Sequence, residues 1–337
     1  MRAFVIDGPG RAGVREVPAP VAGPGQVVVD VERVGLCGTD VEFFTGEMAY
    51  LHQGHAAYPL RPGHEWCGTV SAAGEGVDGS WLGCRVTGDT MLGCGRCRRC
   101  RDGRHHVCGD RREIGIRGGW PGALAEQVPV PAGALVALPD AVGPAAGALV
   151  EPGGNALRAV EAARLEPGSR LLVWGPGTIG LLAAMFAAAR GAEVHVVAQD
   201  PGSLALARDL GADGAWTAGD LPEQPYDAVI DATNDPGVPR RALEAVEPGR
   251  RVVYIGLAGR ASPVDTRDLV LKDVTAVGIL GGSAGLRGSV ELYASGQVDP
   301  GPLVAATVGL DQVAGVLAGG RPAGAGRGPK VQVDPRG

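Results

Sequence analysis

Four cysteines fall within fifteen residues, as Cys94-Gly95-Arg96-Cys97-Arg98-Arg99-Cys100 followed by Cys108. Four thiolates complete a tetrahedral shell about zinc at about 2.3 Å and leave no position for water, so such a set stabilises a fold rather than handling a substrate. Gly93, Gly95, Gly103 and Gly109 lie in and beside the run, where they let the backbone wrap tightly. An iron-sulfur cluster on the same sulfurs, or four unliganded thiols, is the competing reading.

The other three cysteines are scattered. Cys67 and Cys84 lie in strand-like segments and read as small buried hydrophobes. Cys37 sits instead in Gly35-Leu36-Cys37-Gly38-Thr39-Asp40, and two further polar islands follow at Arg61-Pro62-Gly63-His64-Glu65-Trp66 and Leu149-Val150-Glu151-Pro152. Taken singly, a His or Glu is ordinarily a hydrogen-bonded structural residue. Trp66 reads as core, with a pocket wall as the alternative.

Gly175-Pro176-Gly177-Thr178-Ile179-Gly180 has the G-x-G-x-x-G form, after the strand-like Arg170-Leu171-Leu172-Val173-Trp174 and before the Ala-rich helical run Thr178 to Arg190. In that context the glycines allow a tight turn, close approach of a pyrophosphate and helix packing, and the helix N-terminus offers amide donors. Without a nucleotide it is a Gly-rich turn. Asp200 lies twenty residues past Gly180, where an acid takes the ribose hydroxyls of NAD. With an acid and no nearby arginine, the next basic residue being Arg208, the segment Ala198-Gln199-Asp200 favours NAD over NADP; were Ala198 or Gln199 at the ribose, selectivity would relax.

Two regimes must position these residues. From 1 to 145, alternating segments such as Gln26 to Val34 are separated by Pro and Gly, as in a β-rich domain carrying the cysteine lobe 93–109. From 146 to 283, strand candidates at Arg170 to Trp174, Glu193 to Ala198, Tyr226 to Asp231, Arg251 to Gly256 and Val274 to Leu280 alternate with helical stretches at Ser203 to Leu210 and Val238 to Val246. That alternation predicts a doubly wound parallel sheet, an α/β domain. The remainder, 284–337, holds a helix around Ser289 to Ser295 and a strand at Lys330 to Val333 and returns to the first domain.

Bulk properties bound the function. A length of 337 residues suits two domains, and 45% hydrophobic with 20% charged residues suits a globular chain. No apolar run nears the roughly 20 residues of a membrane span, and the opening Met1 to Pro9 meets an acid and two chain breakers, so a cytoplasmic protein is expected. The net charge of -6 argues against nucleic acid. Arginine crowding in the cysteine lobe reflects composition, since only Lys272 and Lys330 are lysines among 31 basic residues.

In their order, Gly-Leu-Cys-Gly-Thr-Asp, Gly-His-Glu, the four-cysteine lobe, Val-Glu-Pro and Gly-x-Gly-x-x-Gly resemble the zinc-containing medium-chain dehydrogenases over nearly the whole chain. The resemblance implies a GroES-like first domain, a Rossmann second domain, and a cleft between them holding a catalytic zinc. It implies Cys37, His64 and Glu151 as ligands of that zinc, with Glu65 the adjacent acid that approaches or exchanges at the metal. A carboxylate at Glu151 resembles the polyol and threonine dehydrogenase branch. Two zinc ions per chain, hydride transfer between an alcohol or ketone and NAD, and a homodimer or homotetramer follow as expectations. A non-catalytic zinc-stabilised nucleotide- or nucleic-acid-binding protein is the reading from another class.

Thr39 matches the hydroxyl that begins the family's proton relay. The position five residues after the cysteine, frequently histidine, is Glu42, which leaves Glu42, His52 and His55 as candidates for the final base. Pro62 to Trp66 with Gly68-Thr69-Val70 and Gly88-Asp89 are similar to dehydrogenases acting on an aminocyclitol, of the 2-deoxy-scyllo-inosamine type.

Overall fold

The computed structural model describes residues 1–337, which divide into two units. The first comprises 1–151, 304–326 and 330–337, and the second 152–303 and 327–329. The chain thus leaves the first unit after Glu151 and resumes it at Val304, where the sequence placed the return at 284. Helix Leu286–Ala294, the expected tail helix, lies in the second unit because Leu286, Val290 and Tyr293 are buried there against the helix Val150–Ala163 and Phe186.

A seven-stranded sheet organises the first unit. Gln26–Gly35 pairs along its length with Glu65–Ala73, while its other edge is shared between Gln127–Pro131 and the C-terminal strand Lys330–Asp334. Val27, Val29, Val31 and Val34 point into a core with Phe4, Ile6, Phe43 and Trp66, and Trp66 is fully buried, which makes it a core residue. This pairing matters for the site. It sets Gly35, two residues before Cys37, opposite Glu65.

The second unit holds a six-stranded parallel sheet ordered Gly214–Trp216, Glu193–Val197, Arg170–Trp174, Tyr226–Asp231, Val246–Tyr254 and Thr275–Gly278. That is the 3-2-1-4-5-6 order of a dinucleotide-binding fold, and the strand order reverses beside Arg170–Trp174. Leu171 to Val173 and Ala228 to Ile230 are buried as continuous apolar runs, and Val194 and Val196 are buried on either side of His195, as expected of a sheet covered on both faces. Strand Gly214–Trp216 escaped the sequence reading because three residues carry no periodicity. Helix Val150–Ala163 escaped it because Pro152-Gly153-Gly154 reads as a break, yet Pro is tolerated in a first helical turn. No helix is long and apolar enough to cross a membrane.

Candidate active site

The cysteine lobe hangs between the short paired strands Met91–Leu92 and Arg112–Glu113. A tetrahedron with zinc–sulfur bonds of about 2.3 Å has an edge of about 3.8 Å. The sulfurs stand 3.5 Å (Cys97 to Cys100), 3.7 Å (Cys97 to Cys108) and 4.0 Å (Cys94 to Cys100) apart. They fit one ion; a cluster with sulfides between its irons would need them further apart. Backbone N–H groups of Arg96 and Cys97 pull the Cys94 thiol down to about 6, whereas burial and the neighbouring thiols push Cys100 up to about 12. Gly93 is required by closeness, since a Cβ there would stand 2.8 Å from Cys100 Sγ and 2.7 Å from His105 Cβ.

Cys37 precedes helix Gly38–Thr45 as its N-cap. Asp40, in the first turn, is fully buried and accepts from the backbone N–H of Cys37 (2.9 Å) and of Gly63 (3.2 Å), which ties the Cys37 segment to the His64 segment. Asp40 Oδ1 stands 3.7 Å from His64 Nδ1. Metal-binding atoms of Cys37, His64 and Glu65 lie within 4.8 Å of one another. Glu151 falls outside that group, but its charge reaches His64. Burial alone would suppress a proton on His64; Asp40 first, then Cys37 and Glu151, overcome this and raise its proton affinity well above the usual imidazole value.

Behind Glu65 lies a residue that the sequence reading did not single out. Lys330 Nζ, from the C-terminal strand, stands 2.9 Å from Glu65 Oε1 and 2.7 Å from Oε2, and donates to Leu36 O at 2.8 Å. Burial works against the ammonium, but Glu65, with Cys37 and Asp40, more than offsets this and raises its proton affinity. Gly35 makes room for the pair, because a Cβ there would stand 2.1 Å from Glu65 Oε2.

Asp40, Glu65 and Glu151 are buried acids in this region, and His64 and Lys330 are its buried basic groups. Buried charge is stable only when compensated. Buried His64 Nδ1, which has no hydrogen-bond partner, adds an imidazole to the thiol of Cys37 and the carboxylate of Glu65. These residues fit a zinc with mixed donors. Replacing Lys330 by Met strands Glu65 without its counter-charge, at an expected cost of about 3–5 kcal/mol in folding. Chemical denaturation measures it; the loss should be larger without zinc than with it, and Glu65→Gln in the same chain should restore most of it.

In the second unit, Gly175 (φ +102) turns the chain out of strand Arg170–Trp174. A Cβ at Gly180 would stand 2.0 Å from Gly175 O, so only glycine lets helix Thr178–Ala189 pack on that turn. Gly177 caps the helix with nothing within 4 Å of its missing Cβ and no side chain bonding the helix N-terminus, so the amides there are open to phosphate. Thr178 and Ile179 form that first turn. Asp200 is exposed and caps helix Pro201–Asp209, with Oδ1 accepting from Ser203 N at 2.9 Å. Gln199, between Ala198 and this cap, is also exposed.

Thr39 and Glu42 lie three apart on helix Gly38–Thr45 and so share a face. Partial burial and then the charge of Glu47 push the Glu42 carboxyl up. His52 Nε2 stands 3.0 Å from Gly46 O, and both ring nitrogens of His55 stand 3.4 Å from Arg117 Nη2. Cys67, buried as expected, is pushed up to about 12 by burial first, and Cys84 lies just ahead of a strand, its thiol donating to Ser80 O at 3.1 Å.

Residues 23–140 match the family model of the alcohol dehydrogenase GroES-like domain, and residues 178–295 that of zinc-binding dehydrogenases. Among curated relatives, an L-threonine 3-dehydrogenase of Saccharopolyspora erythraea is 33% identical over 83% of this chain and 84% of the relative. One from Legionella pneumophila is 30% identical over 80% and 81%. A solved zinc-binding dehydrogenase from Sinorhizobium meliloti, bound to NADP, superposes with a TM-score of 0.89 at 30% identity over 99% of both chains. Matched in both halves, the chain belongs to the zinc-dependent, NAD(P)-linked medium-chain alcohol dehydrogenases.

Proposed function

We propose that the protein oxidises a secondary alcohol, of the polyol or aminocyclitol type, to its ketone with NAD as acceptor. The observation that carries this reading is the convergence of Cys37, His64 and Glu65, whose metal-binding atoms lie within 4.8 Å of one another. Cys37, His64 and Glu151 hold zinc in the working enzyme. Glu65 is the exchanging acid, because Lys330 already engages both of its oxygens. When bound, zinc makes the alcohol proton acidic and the nicotinamide accepts hydride. Atoms balance as alcohol plus oxidised dinucleotide giving ketone, reduced dinucleotide and one proton. The same groups serve the reverse reduction, with direction set by concentrations.

Thr39 passes the proton to Glu42. Glu42 is favoured over His52 and His55 because both histidines are engaged, one at a backbone carbonyl and the other at a guanidinium. A carboxyl raised towards the working pH is a better base. Its elevation comes partly from Glu47, so Glu47→Gln should lower the Glu42 pKa and move the acidic limb of the kcat–pH profile to lower pH. An unmoved limb rejects Glu42 as the relay base.

Asp200 favours NAD, because the 2′-phosphate of NADP would meet a carboxylate whose proton is held off by bonds from Ser203. The deciding experiment measures reduction of NAD and NADP by the zinc-loaded protein over polyols, aminocyclitols, L-threonine and simple alcohols. Turnover of secondary alcohols, with a KM for NAD about tenfold or more below that for NADP, is expected; no turnover of any alcohol refutes the reading. The same protein is proposed to be a dimer or tetramer. Thr275–Gly278 is an edge strand with its residues largely exposed, and Val270, Leu271 and Leu280 are exposed nearby in sequence, a combination that otherwise invites aggregation. A stable monomer by light scattering at micromolar concentration would reject this.

A further inference from the structure

We propose that the substrate alcohol carries an anionic group, a carboxylate or a phosphate, and that Arg117 receives it. The inference rests on the dehydrogenase reading above and deepens it.

Arg117 closes a turn bonded through Thr90 to the segment bearing His64 and, at Gly118, to His55 in the loop that follows the Cys37 helix. Its own turn is closed by Glu113 N to Arg117 O and Arg117 N to Glu113 O, both 3.0 Å. That turn is seated beside the metal ligands. Ile114 N donates to Thr90 O (3.0 Å), Thr90 Oγ1 donates to His64 O (3.1 Å), and Gly115 lies so close to Gly63 that a Cβ would stand 2.7 Å from Gly63 O. From the other side, the chain that begins at Cys37 reaches Tyr50 and His55, and Gly118 N bonds His55 O at 3.0 Å. The turn is therefore fixed to the His64 segment on one side and to the loop after the Cys37 helix on the other, and the guanidinium lies beside Tyr50 and His55 of that loop.

The cation is held in place but not neutralised. Arg117 Cζ lies 5.2 Å from the Tyr50 ring centroid, and the Tyr50 hydroxyl is fixed by Arg111 Nη2 (2.9 Å) and Glu113 Oε1 (3.3 Å). The acid nearest in the chain, buried Glu113, is committed to Arg111 at 2.7 Å. Arg111 and Arg117 against Glu113 leave a formal +1, and no carboxylate pairs with Arg117. Its remaining partner is His55, at 3.4 Å from Nη2, which takes one of five guanidinium N–H groups. A half-buried guanidinium whose fork is open, oriented by a fixed aromatic ring, is suited to bidentate capture of an oxyanion.

The test has two arms, each on the zinc-loaded protein, with Arg117→Ala and Arg117→Lys beside wild type. In the first, kcat/KM is compared within matched pairs, 3-hydroxybutyrate against 2-butanol and glycerol 3-phosphate against glycerol. Wild type should favour an anionic member by about tenfold or more, and Arg117→Ala should remove that ratio chiefly through KM, with Arg117→Lys intermediate because it keeps the charge and loses the fork. In the second, calorimetric titration with 3-hydroxybutyrate and with inorganic phosphate reads binding without turnover, and Arg117→Ala should weaken it about tenfold or more. The pair that responds identifies carboxylate or phosphate. Equal ratios or equal binding in wild type and Arg117→Ala overturn the proposal, whichever alcohols are oxidised. Anion binding lost with Arg117 in a protein that oxidises no alcohol would sustain the subsite and defeat the dehydrogenase reading.

Discussion

Replacing Glu151 by Ala is expected to lower kcat by about a thousandfold, a barrier increase of about 4 kcal/mol, while leaving a folded protein that binds NAD. Glu151 stands at the start of helix Val150–Ala163, close enough for its charge to act on His64. Removing it leaves Cys37 and His64 with Glu65, whose oxygens are already held by Lys330. Metal content should fall from about two towards one zinc per chain, because the four-thiolate lobe keeps its ion. If Glu65 instead swings from Lys330 to replace the lost ligand, zinc stays near two while kcat still falls, since the substrate oxygen then competes with a different carboxylate. Near wild-type kcat with full zinc would mean that Glu151 is no ligand, and the assignment of the catalytic set would fail. Metal analysis, melting and single-turnover kinetics on one preparation separate these outcomes.

Replacing Cys97 by Ser should act on the fold rather than on the chemistry. Cys97 Sγ lies 3.5 Å from Cys100 and 3.7 Å from Cys108, so it contributes an edge to each in the tetrahedron. The lobe has little apolar material with which to hold itself: Arg98, Arg99 and Arg101 of its short helix are exposed, and of its sulfurs only Cys108 is fully buried. Its order must come from the metal, whose binding free energy is then folding free energy. A fall in melting temperature of about 10 °C or more is expected, with loss of one zinc per chain. The lobe adjoins the site, because His105 Nε2 stands 2.6 Å from Asp89 Oδ2 and the next residue, Thr90, bonds His64 O. Residual activity should therefore drop as the lobe loosens. Unchanged melting with full metal content would show that Cys97 is not a ligand.

How much of this was legible in the sequence depended on how far along the chain the cooperating atoms lie. The four thiolates are local, within fifteen residues, and tetrahedral zinc constrains them enough that spacing alone pointed to the closed site. The Gly175, Gly177 and Gly180 cradle was local too: Gly175 is required by its turn and Gly180 by helix packing, while Gly177 has open space about its missing Cβ. Cys37, His64 and Glu151 were offered as a set by resemblance alone, because no rule of spacing joins residues so distant; the structure brings Cys37 and His64 together with Glu65. Asp200 read as the ribose acid by its distance from Gly180, whereas the tertiary structure also gives it the local task of capping a helix.

Other parts were decided only by the folded chain. Asp40 sat in a quoted motif with no assigned role, and it is the strand pairing and the buried turn at Gly63 that make its carboxylate join two ligand segments. Lys330, one of two lysines, lies 265 residues from Glu65, and the two meet because Lys330–Asp334 adds to the edge of Gln26–Gly35 while Glu65–Ala73 pairs on the other. A sequence displays local chemistry and periodicity; it carries no local mark of which distant charge will compensate a buried one. That choice belongs to sheet register, because a shift of one residue would turn each of these side chains to the opposite face.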